Sequence, residues 1–508
     1  MLLFGDTVFV LCLGLASLST IMTERCVYNV GGCDCLPGQV KCVNLEEIPP
    51  LSTGTDVTNV SSVTFIMGSF TSVDIHSLPP GLADLEFAFI PLMNISDDAF
   101  DNSAKTLTHL QISYCYMSSL PKALLRLTSL RTLRISDTNT DVWDTDILQH
   151  IAKTVTDLQL QDVVFLEWPV WFSYFQSLTT AALSLEHFDS LPDDAFNSTS
   201  SIEELKLTEW NFTHTPAALS TLKNLTDLQI SGTTRNSIDG TLGMDKLALF
   251  PLATTLQNLT VSYMGLTEIP DFSYMTHLLK LELHRNNISV FPANRLPLSL
   301  EYLSLAYNYV TSVTVDFPLI INLLSLTLSA NKISEVNFDM FPKNLVYLDL
   351  QSNSINKITG GNSTQYLHLN TLILNYNPIK EISPSAFRDL VNLTKLQMDN
   401  TGLTSFPLAL TSLEKLSTLS LGDNTLLCSS PPSHEIMAWY HVYGSHISIY
   451  ANCPNVGRIS QYLTFGLPTT TCTTCTSTTI LSSKAAALES CLLYGYFCLF
   501  LFLSSMVH

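Results

Sequence analysis

The chain repeats one pattern five times between residues 278 and 379: LLKLELHRNNI (278–288), LEYLSLAYNYV (300–310), LLSLTLSANKI (323–333), LVYLDLQSNSI (345–355) and LNTLILNYNPI (369–379). The pattern is LxxLxLxxNxL, with isoleucine or valine at the last position. Its asparagines are Asn286, Asn308, Asn331, Asn353 and Asn377, at intervals of 22, 23, 22 and 24 residues. A period of this length indicates stacked units that each pack only on their neighbours.

This period and these residue types resemble those of the leucine-rich repeat superfamily of extracellular proteins. The two leucines of LxLxx point inward from a short strand, and the residues between them face outward. The predicted fold is an α/β-type solenoid, a leucine-rich repeat horseshoe with a parallel concave β-sheet, irregular convex limbs and disulfide-bonded caps. Each asparagine amide can bond the backbone of its own turn and of the next coil, which predicts a buried asparagine ladder.

The same pattern continues on both sides of the five regular repeats, with its leucines kept and its asparagine replaced. We place further repeats at Val60, Leu82, Leu107, Leu130, Val155, Leu178, Ile202, Leu225, Leu256, Leu393 and Leu416. From Val60 to Leu416 there are fifteen steps of about 23.7 residues each. The asparagine position holds Gly68, Ile90, Cys115, Thr138, Val163, Glu186, Trp210, Thr233, Met264 and Thr401, and Asn424 restores it. The step after Leu225 is 31 residues and carries an insertion.

Composition limits the classes of partner. The chain has 508 residues, of which 46% are hydrophobic and 13% charged, and its net charge is −20. One long domain with a continuous core fits these values, and the negative charge argues against nucleic acid or an anionic membrane surface as a partner.

The N-terminus predicts a secreted protein. An apolar run over residues 8–16, followed by small residues, is typical of a signal peptide, although the region before it has no Lys or Arg. Cys26, Cys33, Cys35 and Cys42 follow closely, and a secreted context favours a disulfide framework over a zinc site. A Cys33–Cys35 bond would close too small a ring, which leaves two pairings. The pattern resembles the N-terminal cysteine cap of extracellular leucine-rich repeat proteins, which implies the bonds Cys26–Cys35 and Cys33–Cys42.

The C-terminal part resembles a second cap followed by a stalk. Cys428, Trp439 and Cys453 lie beyond the last repeat, and the resemblance implies a Cys428–Cys453 bridge, although such caps usually have four cysteines. A threonine-rich stretch with Cys472 and Cys475 predicts an extended stalk. The final apolar tail is short and has no basic flank, so it fits a GPI-attachment signal with Ser483 as attachment site better than a transmembrane span.

The predicted domain boundaries follow from these features. They are a signal peptide (1–19), an N-terminal cysteine cap (20–56), a solenoid of about sixteen repeats (57–427), a C-terminal cap (428–466), a Thr-rich stalk (467–483) and a GPI-attachment propeptide (484–508). N-glycosylation sequons predict sugar at Asn59, Asn94, Asn197, Asn211, Asn224, Asn258, Asn287, Asn362 and Asn392.

Catalytic and metal-binding motifs are absent from the sequence. There is no HExxH, GxSxG, phosphate loop or GxGxxG between a strand and a helix. Asp137, Asn139 and Asp141 are spaced as in a calcium loop, but Val142 replaces its glycine and Leu148 its glutamate. We therefore expect no enzyme activity, no cofactor and no metal.

The outward residues of the sheet are the candidate binding surface. In the N-terminal half they are mostly acidic: Asp84, Glu86, Asp157, Asp162, Glu204 and Glu209, against Arg134 and Lys206. In the C-terminal half tyrosines dominate, and the predicted ligand-binding residues are Tyr263, Arg285, Tyr302, Tyr307, Tyr347 and Tyr376. Tyrosine gives a large contact area at low entropic cost, but it is also common on strands. Asn258 is predicted to face outward, so a glycan there would separate the two halves.

The layout resembles that of GPI-anchored receptors such as the Nogo receptor. It implies a recognition or adhesion ectodomain on the cell surface that binds an extracellular protein ligand through its concave face, with membrane contact through the lipid anchor. A signalling co-receptor is compatible with this layout. The alternatives are a secreted inhibitor of an extracellular enzyme, as for leucine-rich repeat proteins that inhibit polygalacturonase, and a structural matrix component. Fold alone does not identify the ligand.

Overall fold

The computed structural model describes residues 26–465 except 29, 52–58, 164, 166, 185–190, 211–214, 233–248, 314–316, 361–367, 429, 452 and 454–458. Several expectations lie outside the described residues: the signal peptide, the ladder positions Glu186 and Thr233, the sequons Asn211 and Asn362, the insertion, the stalk with Cys472 and Cys475, and the Ser483 attachment site.

A sheet of 19 strands runs through the whole molecule. The first two strands form an antiparallel hairpin, and each later strand pairs in parallel with the strand before it. The strands are Cys33–Leu36, Gln39–Val43, Ser62–Ile66, Asp84–Ala88, His109–Ser113, Thr132–Ser136, Asp157–Gln161, Thr180–Ser184, Glu204–Trp210, Asp227–Gly232, Asn258–Ser262, Lys280–Glu282, Tyr302–Ser304, Ser325–Thr327, Tyr347–Asp349, Thr371–Ile373, Lys395–Gln397, Thr418–Leu421 and Ser448–Ala451.

The leucines of the repeated pattern set the register of this sheet. Leu281 pairs with Leu303, and Leu303 pairs with Leu326, so equivalent leucines stack directly on one another. All three are buried, whereas the residues on either side of each are mostly half-exposed. The outer side chains of successive repeats therefore form rows across the concave face at the strand spacing of about 4.8 Å. This confirms the predicted horseshoe with its parallel sheet.

The convex limbs are irregular, as predicted. Within the described ranges they contain the α-helix Thr145–Ile151 and several short 3₁₀-helices: Asp101–Ser103, Lys122–Arg126, Val170–Tyr174, Ala217–Thr221, Phe250–Leu252, Ala293–Arg295, Phe317–Leu319, Phe338–Met340 and Leu408–Ser412. The limbs also form two small parallel sheets. In the first, Ser72–Val73 pairs with Asn94–Ile95. In the second, Lys357–Thr359 pairs with both Glu335–Asn337 and Glu381–Ile382. Phe100, Phe196 and Phe387 from these limbs are buried in the core.

Asn331 shows the geometry of the ladder. Its Oδ1 accepts the N–H of Val310 at 2.9 Å, and its Nδ2 donates to the carbonyls of Leu305 at 2.8 Å and Leu328 at 3.0 Å. The same arrangement recurs at Asn286, Asn308, Asn353, Asn377 and Asn424. The sequence-based expectation of bonds to the next coil needs correction, because the amides reach the preceding coil. Each ladder asparagine lies beside the backbone N–H and carbonyl groups of the coil before it, as Asn331 does beside Val310 and Leu305.

The N-terminal hairpin covers the first repeat. Disulfides join Cys26 to Cys35 and Cys33 to Cys42, the pairs that the resemblance implies. Tyr28 is fully buried, and its hydroxyl donates to the carbonyl of Ser77 at 2.6 Å. The inner surface that a terminal repeat would otherwise expose is thereby closed by an apolar side chain.

The C-terminal end is closed by a helix and a strand. The α-helix His434–Tyr443 begins at Ser433, whose side chain accepts the N–H of Ile436, and Trp439 on this helix is buried. The indole N–H of Trp439 donates to the carbonyl of Leu413 at 3.3 Å. A disulfide joins Cys428 to Cys453. The 3₁₀-helix Gly444–His446 and the α-helix Ile459–Phe465 complete this segment. None of the helices in the described part of the chain is long and apolar enough to cross a membrane.

Candidate functional site

Every regular repeat bends sharply at the residue before the ladder position, and we call this residue the bend position. Its φ is between 49° and 60° in fifteen non-glycine residues of the described chain, one of which lies in the N-terminal cap. They are Asn44, Met67, Phe89, Tyr114, Asp137, Asp162, Glu209, Tyr263, Arg285, Tyr307, Ala330, Ser352, Tyr376, Asn400 and Asp423. A left-handed φ suits glycine, asparagine or aspartate and costs other residues about 1 to 2 kcal/mol. Backbone preference therefore does not explain the large side chains found at this position.

Three of the predicted binding residues stack at consecutive bend positions. The guanidinium carbon of Arg285 lies 5.4 Å from the ring centroid of Tyr263 and 4.4 Å from that of Tyr307. The backbone holds the stack in place, because Tyr263 N–H donates to Arg285 at 3.0 Å and Arg285 N–H donates to Ala306 at 2.9 Å. Cation–π contacts at exposed sites contribute about 0.5 to 1 kcal/mol. We call these three residues the tyrosine–arginine cluster.

Two other predicted residues, Tyr302 and Tyr347, belong to a different row. They lie within strands at the position equivalent to Lys280, and Ser325 separates them. The Nζ of Lys280 is 5.3 Å from the ring centroid of Tyr302. Tyr302 is therefore next to the cluster, one row away, whereas Tyr347 is farther along the sheet.

Tyr376 occupies a bend position but is not part of the cluster. Ala330 and Ser352 hold the two bend positions between it and Tyr307. Its side chain is exposed. The structure thus places the six predicted residues on one face but brings together only Tyr263, Arg285 and Tyr307.

Burial shifts the pKa of several groups on the tyrosine half of the concave face. It raises the pKa of the Asp349 carboxyl above its ordinary value, although the N–H of Gln351, at 2.9 Å, opposes the rise. Burial also raises the pKa of Tyr347, and the Asp349 carboxylate adds to this. The pKa of His284 is lowered by burial, so its imidazole is neutral near pH 7. Charged side chains also lie next to the cluster, since Lys280 Nζ is 2.9 Å from Glu282 Oε1 in the strand that precedes Arg285.

The N-terminal half is acidic, and several of its acids have partners. Asp84 Oδ1 lies 2.9 Å from Nδ1 of His109, and Asp157 Oδ2 lies 3.4 Å from Nη2 of Arg134. Glu209 accepts a hydrogen bond from the Ser184 hydroxyl. Two open depressions of ≈ 230 Å³ and ≈ 470 Å³ follow the strands, the first between residues 62 and 134 and the second from residue 159 to Lys280. Both depressions are shallow and open, which fits contact with a protein surface better than enclosure of a small molecule.

Comparison with known proteins identifies the repeats. The family model described as "Leucine rich repeat" matches residues 343–403 and 367–426. The chain is a leucine-rich repeat solenoid. Part of it is similar to "Transforming growth factor beta activator LRRC33" of Danio rerio, with 27% identity over 175 residues, which is 33% of this chain and 24% of that protein. The matched part thus spans about a quarter of the length of this relative.

Solved structures show the same solenoid. The Leptospira interrogans leucine-rich repeat protein LIC12759 superposes with a TM-score of 0.50 at 20% identity, covering 77% of this chain and 90% of that one. A chain of the mouse RP105/MD-1 complex superposes with a TM-score of 0.58 at 20% identity, covering 82% of this chain and 76% of that one. At these identities the similarity concerns the fold alone.

Three bulky bend residues of the N-terminal half were missed by sequence reasoning. Met67, Phe89 and Tyr114 follow three consecutive strands of the solenoid, and all three side chains are exposed. The rings of Phe89 and Tyr114 stack at a centroid distance of 4.2 Å. The position just before each degraded ladder residue could have revealed them, because that position is not buried in most of the repeats that the structure describes.

Most described sequons lie on exposed asparagines of the solenoid: Asn59, Asn94, Asn197, Asn224 and Asn287. Asn392 is half-buried and accepts a hydrogen bond from Lys415 at 2.8 Å. Asn258 lies on the concave face between Asp227 and Lys280, as its outward position predicts, and its amide contacts the Asp227 carboxylate. Glycosylation at these sites stays a prediction.

Among the described residues, Cys115 is a free cysteine and lies buried at a ladder position. Burial raises the pKa of its thiol to about 11. A thiol of this pKa is protonated at neutral pH and is a poor nucleophile. No group of three or more His, Cys, Asp or Glu side chains that could hold a metal ion occurs within the described ranges.

Proposed function

We propose that the protein is a cell-surface recognition or adhesion ectodomain that binds an extracellular protein ligand through the concave face of its solenoid. The observation that carries this proposal is the tyrosine–arginine cluster. Tyr263, Arg285 and Tyr307 occupy bend positions whose backbone conformation disfavours large side chains, and Tyr307 is 54% exposed. Tyrosine and arginine are the residue types that dominate the binding energy of protein interfaces.

Rigidity supports the same proposal. The cluster lies at the start of the regular asparagine ladder, where Asn286 and Asn308 fix the turns behind Arg285 and Tyr307. Binding residues that are already ordered lose little conformational entropy when a partner docks. We place Tyr302, Tyr347 and Tyr376 at the periphery of the interface, because the structure separates them from the cluster.

The similar proteins supply precedents for recognition of a protein. The RP105 structure is of a complex with MD-1, and the LRRC33 relative is named as an activator of transforming growth factor beta. For this chain they support a protein ligand as the class of partner.

The same proposal includes the attachment to the cell surface. A GPI anchor at Ser483, after the predicted stalk of residues 467–483, would hold the solenoid on the outer leaflet in a layout like that of the Nogo receptor. The three disulfides favour an oxidising, extracellular environment. A secreted inhibitor or a matrix component would lack this anchor, so its presence distinguishes the candidates.

A capture experiment tests the proposed function. The ectodomain of residues 20–482 is presented to biotinylated surface and secreted proteins, beside a variant with Tyr263→Asn, Arg285→Asn and Tyr307→Asn. Asparagine is suited to the bend position, as Asn400 shows, and these changes create no new sequon. We expect at least one protein that the wild type retains and the variant does not. Identical sets of captured proteins would contradict a role for the cluster.

A further inference from the structure

Exposed apolar side chains form a strip across three consecutive N-terminal repeats, at the edge of the concave face. It consists of Met67, Phe89 and Tyr114, which are 58%, 52% and 47% exposed. The rings of Phe89 and Tyr114 stack with an interplanar angle of 8°. We call these three residues the apolar strip, and it lies six strand spacings from Tyr263 in the tyrosine–arginine cluster.

The backbone fixes the apolar strip. The N–H groups of Met67, Phe89 and Tyr114 donate to the carbonyls of Ala88, Ser113 and Ser136 in the following strands, each at 3.0 Å. Consecutive strip residues are therefore held about 4.8 Å apart. Each has a left-handed φ, between 53° and 57°. That conformation costs a bulky residue about 1 to 2 kcal/mol, and burial in the core recovers none of it because the side chains are exposed.

Carboxylates continue the line of the apolar strip. Asp137 and Asp162 hold the next two bend positions. Glu86, in the strand that precedes Phe89, faces outward on the same sheet. Carboxylates therefore lie beside the apolar contact area, in a chain of net charge −20.

We propose that the apolar strip is a docking surface for a basic protein segment, whose apolar side chains rest on Met67, Phe89 and Tyr114 and whose Lys or Arg side chains reach Asp137 and Asp162. Charge complementarity selects this occupant. Nucleic acid and anionic lipid would be repelled by the neighbouring carboxylates, and a second copy of this chain carries the same negative charge. The surface is separate from the tyrosine–arginine cluster, so this proposal does not depend on the proposed function.

Labelled peptides can test the docking surface with the full chain purified in detergent. Each peptide has twelve residues and four lysines, with three leucines at varied spacing among glycine and serine. One counterpart replaces every leucine by serine, and another replaces every lysine by glutamate. Fluorescence anisotropy gives the affinities. We expect at least one lysine–leucine peptide to bind tenfold more tightly than both of its counterparts.

Matched variants locate the binding. Phe89→Asn and Tyr114→Asn introduce asparagine, which the bend position accepts, and neither change creates a sequon. Each should lower the affinity for the tightest-binding lysine–leucine peptide at least fivefold. Asp137→Ser should lower the affinity for this peptide at least threefold. Asp423→Ser, at the exposed bend position of the last repeat, should leave the affinity unchanged. Leu36→Ser, an exposed apolar residue of the N-terminal hairpin, is the apolar control. Thermal unfolding verifies that each variant folds.

Three results would overturn the proposal. The first is that no lysine–leucine peptide binds more tightly than its serine counterpart. The second is that Asp423→Ser weakens binding as much as Asp137→Ser, which would indicate general attraction to the negative chain. The third is that Phe89→Asn and Tyr114→Asn fold and leave the affinity unchanged.

Discussion

At the scale of single residues, the asparagine and the bend residue before it have different roles in each regular repeat. The amide of Asn331 satisfies buried backbone groups of its own turn and of the preceding coil. The bend residue, Ala330 in this repeat, turns the chain at φ 54° and directs its side chain away from the core. A buried structural side chain and an outward-facing side chain thus belong to adjacent residues.

The ladder makes a first prediction. Asn331→Ala should lower the free energy of unfolding by about 1 to 3 kcal/mol, because it leaves buried backbone groups of two coils without partners. Denaturant unfolding monitored by circular dichroism measures the change. The matched control is Asn344→Ala, since the Asn344 amide also bonds a neighbouring coil, at the carbonyl of Ile321, but is exposed. That change should cost less than about 0.5 kcal/mol. Equal losses for the two variants would mean that the ladder is not a buried network.

Periodicity allowed the ladder residues to be predicted, and it explains why other residues were not. Asn286 and its equivalents recur at nearly constant intervals, so their shared role is visible in the sequence. The left-handed backbone at Arg285 and Tyr307 is not visible, because the residue type varies from tyrosine to alanine at this position. The tyrosines were therefore predicted to act as one group, although they lie in two rows.

At the scale of structural elements, the two caps convert an open stack of repeats into a closed core. Tyr28 at one end and Trp439 at the other are buried by elements that do not repeat. The cysteine spacing predicted where both caps lie. The final strand, Ser448–Ala451, which extends the sheet beyond the last repeat, was not predicted because its sequence lacks the leucine pattern.

The C-terminal cap gives a second prediction. Trp439→Ala should destabilise the protein by about 3 to 5 kcal/mol, since it removes a large buried side chain. Because each repeat packs mainly on its neighbours, the loss should be local. Hydrogen exchange should accelerate most in the strand Thr418–Leu421. Val442→Ala, an exposed position of the same helix, is the control and should change little. A uniform increase in exchange along the whole solenoid would contradict local packing.

At the scale of the whole molecule, one rigid sheet presents two surfaces of different chemistry. The acidic half with its apolar strip comes first, and the half with the tyrosine–arginine cluster follows. The sequence predicted the acidic and tyrosine halves from outward positions, but it did not predict the apolar strip. Met67, Phe89 and Tyr114 are apolar or aromatic residues among degraded repeats, and a hydrophobic pattern alone does not distinguish such residues from core residues.

The membrane attachment gives a third prediction. Treatment of expressing cells with phosphatidylinositol-specific phospholipase should release the protein into the medium, because the C-terminal apolar tail has no basic flank. Immunoblotting of the medium and the cell fraction measures the release. Retention on the cells, under conditions that release a known GPI-anchored protein, would favour a transmembrane span instead.

We propose that the concave face recognises its ligand through the tyrosine–arginine cluster. The most direct test is the affinity of the captured ligand for Tyr307→Asn, measured by surface plasmon resonance against a Glu204→Ala, Glu209→Ala double variant. We predict at least tenfold weaker binding for Tyr307→Asn, about 1.4 kcal/mol, and an unchanged affinity for the double variant. Unchanged binding of Tyr307→Asn together with weaker binding of the double variant would contradict the claim and move the site to the acidic half.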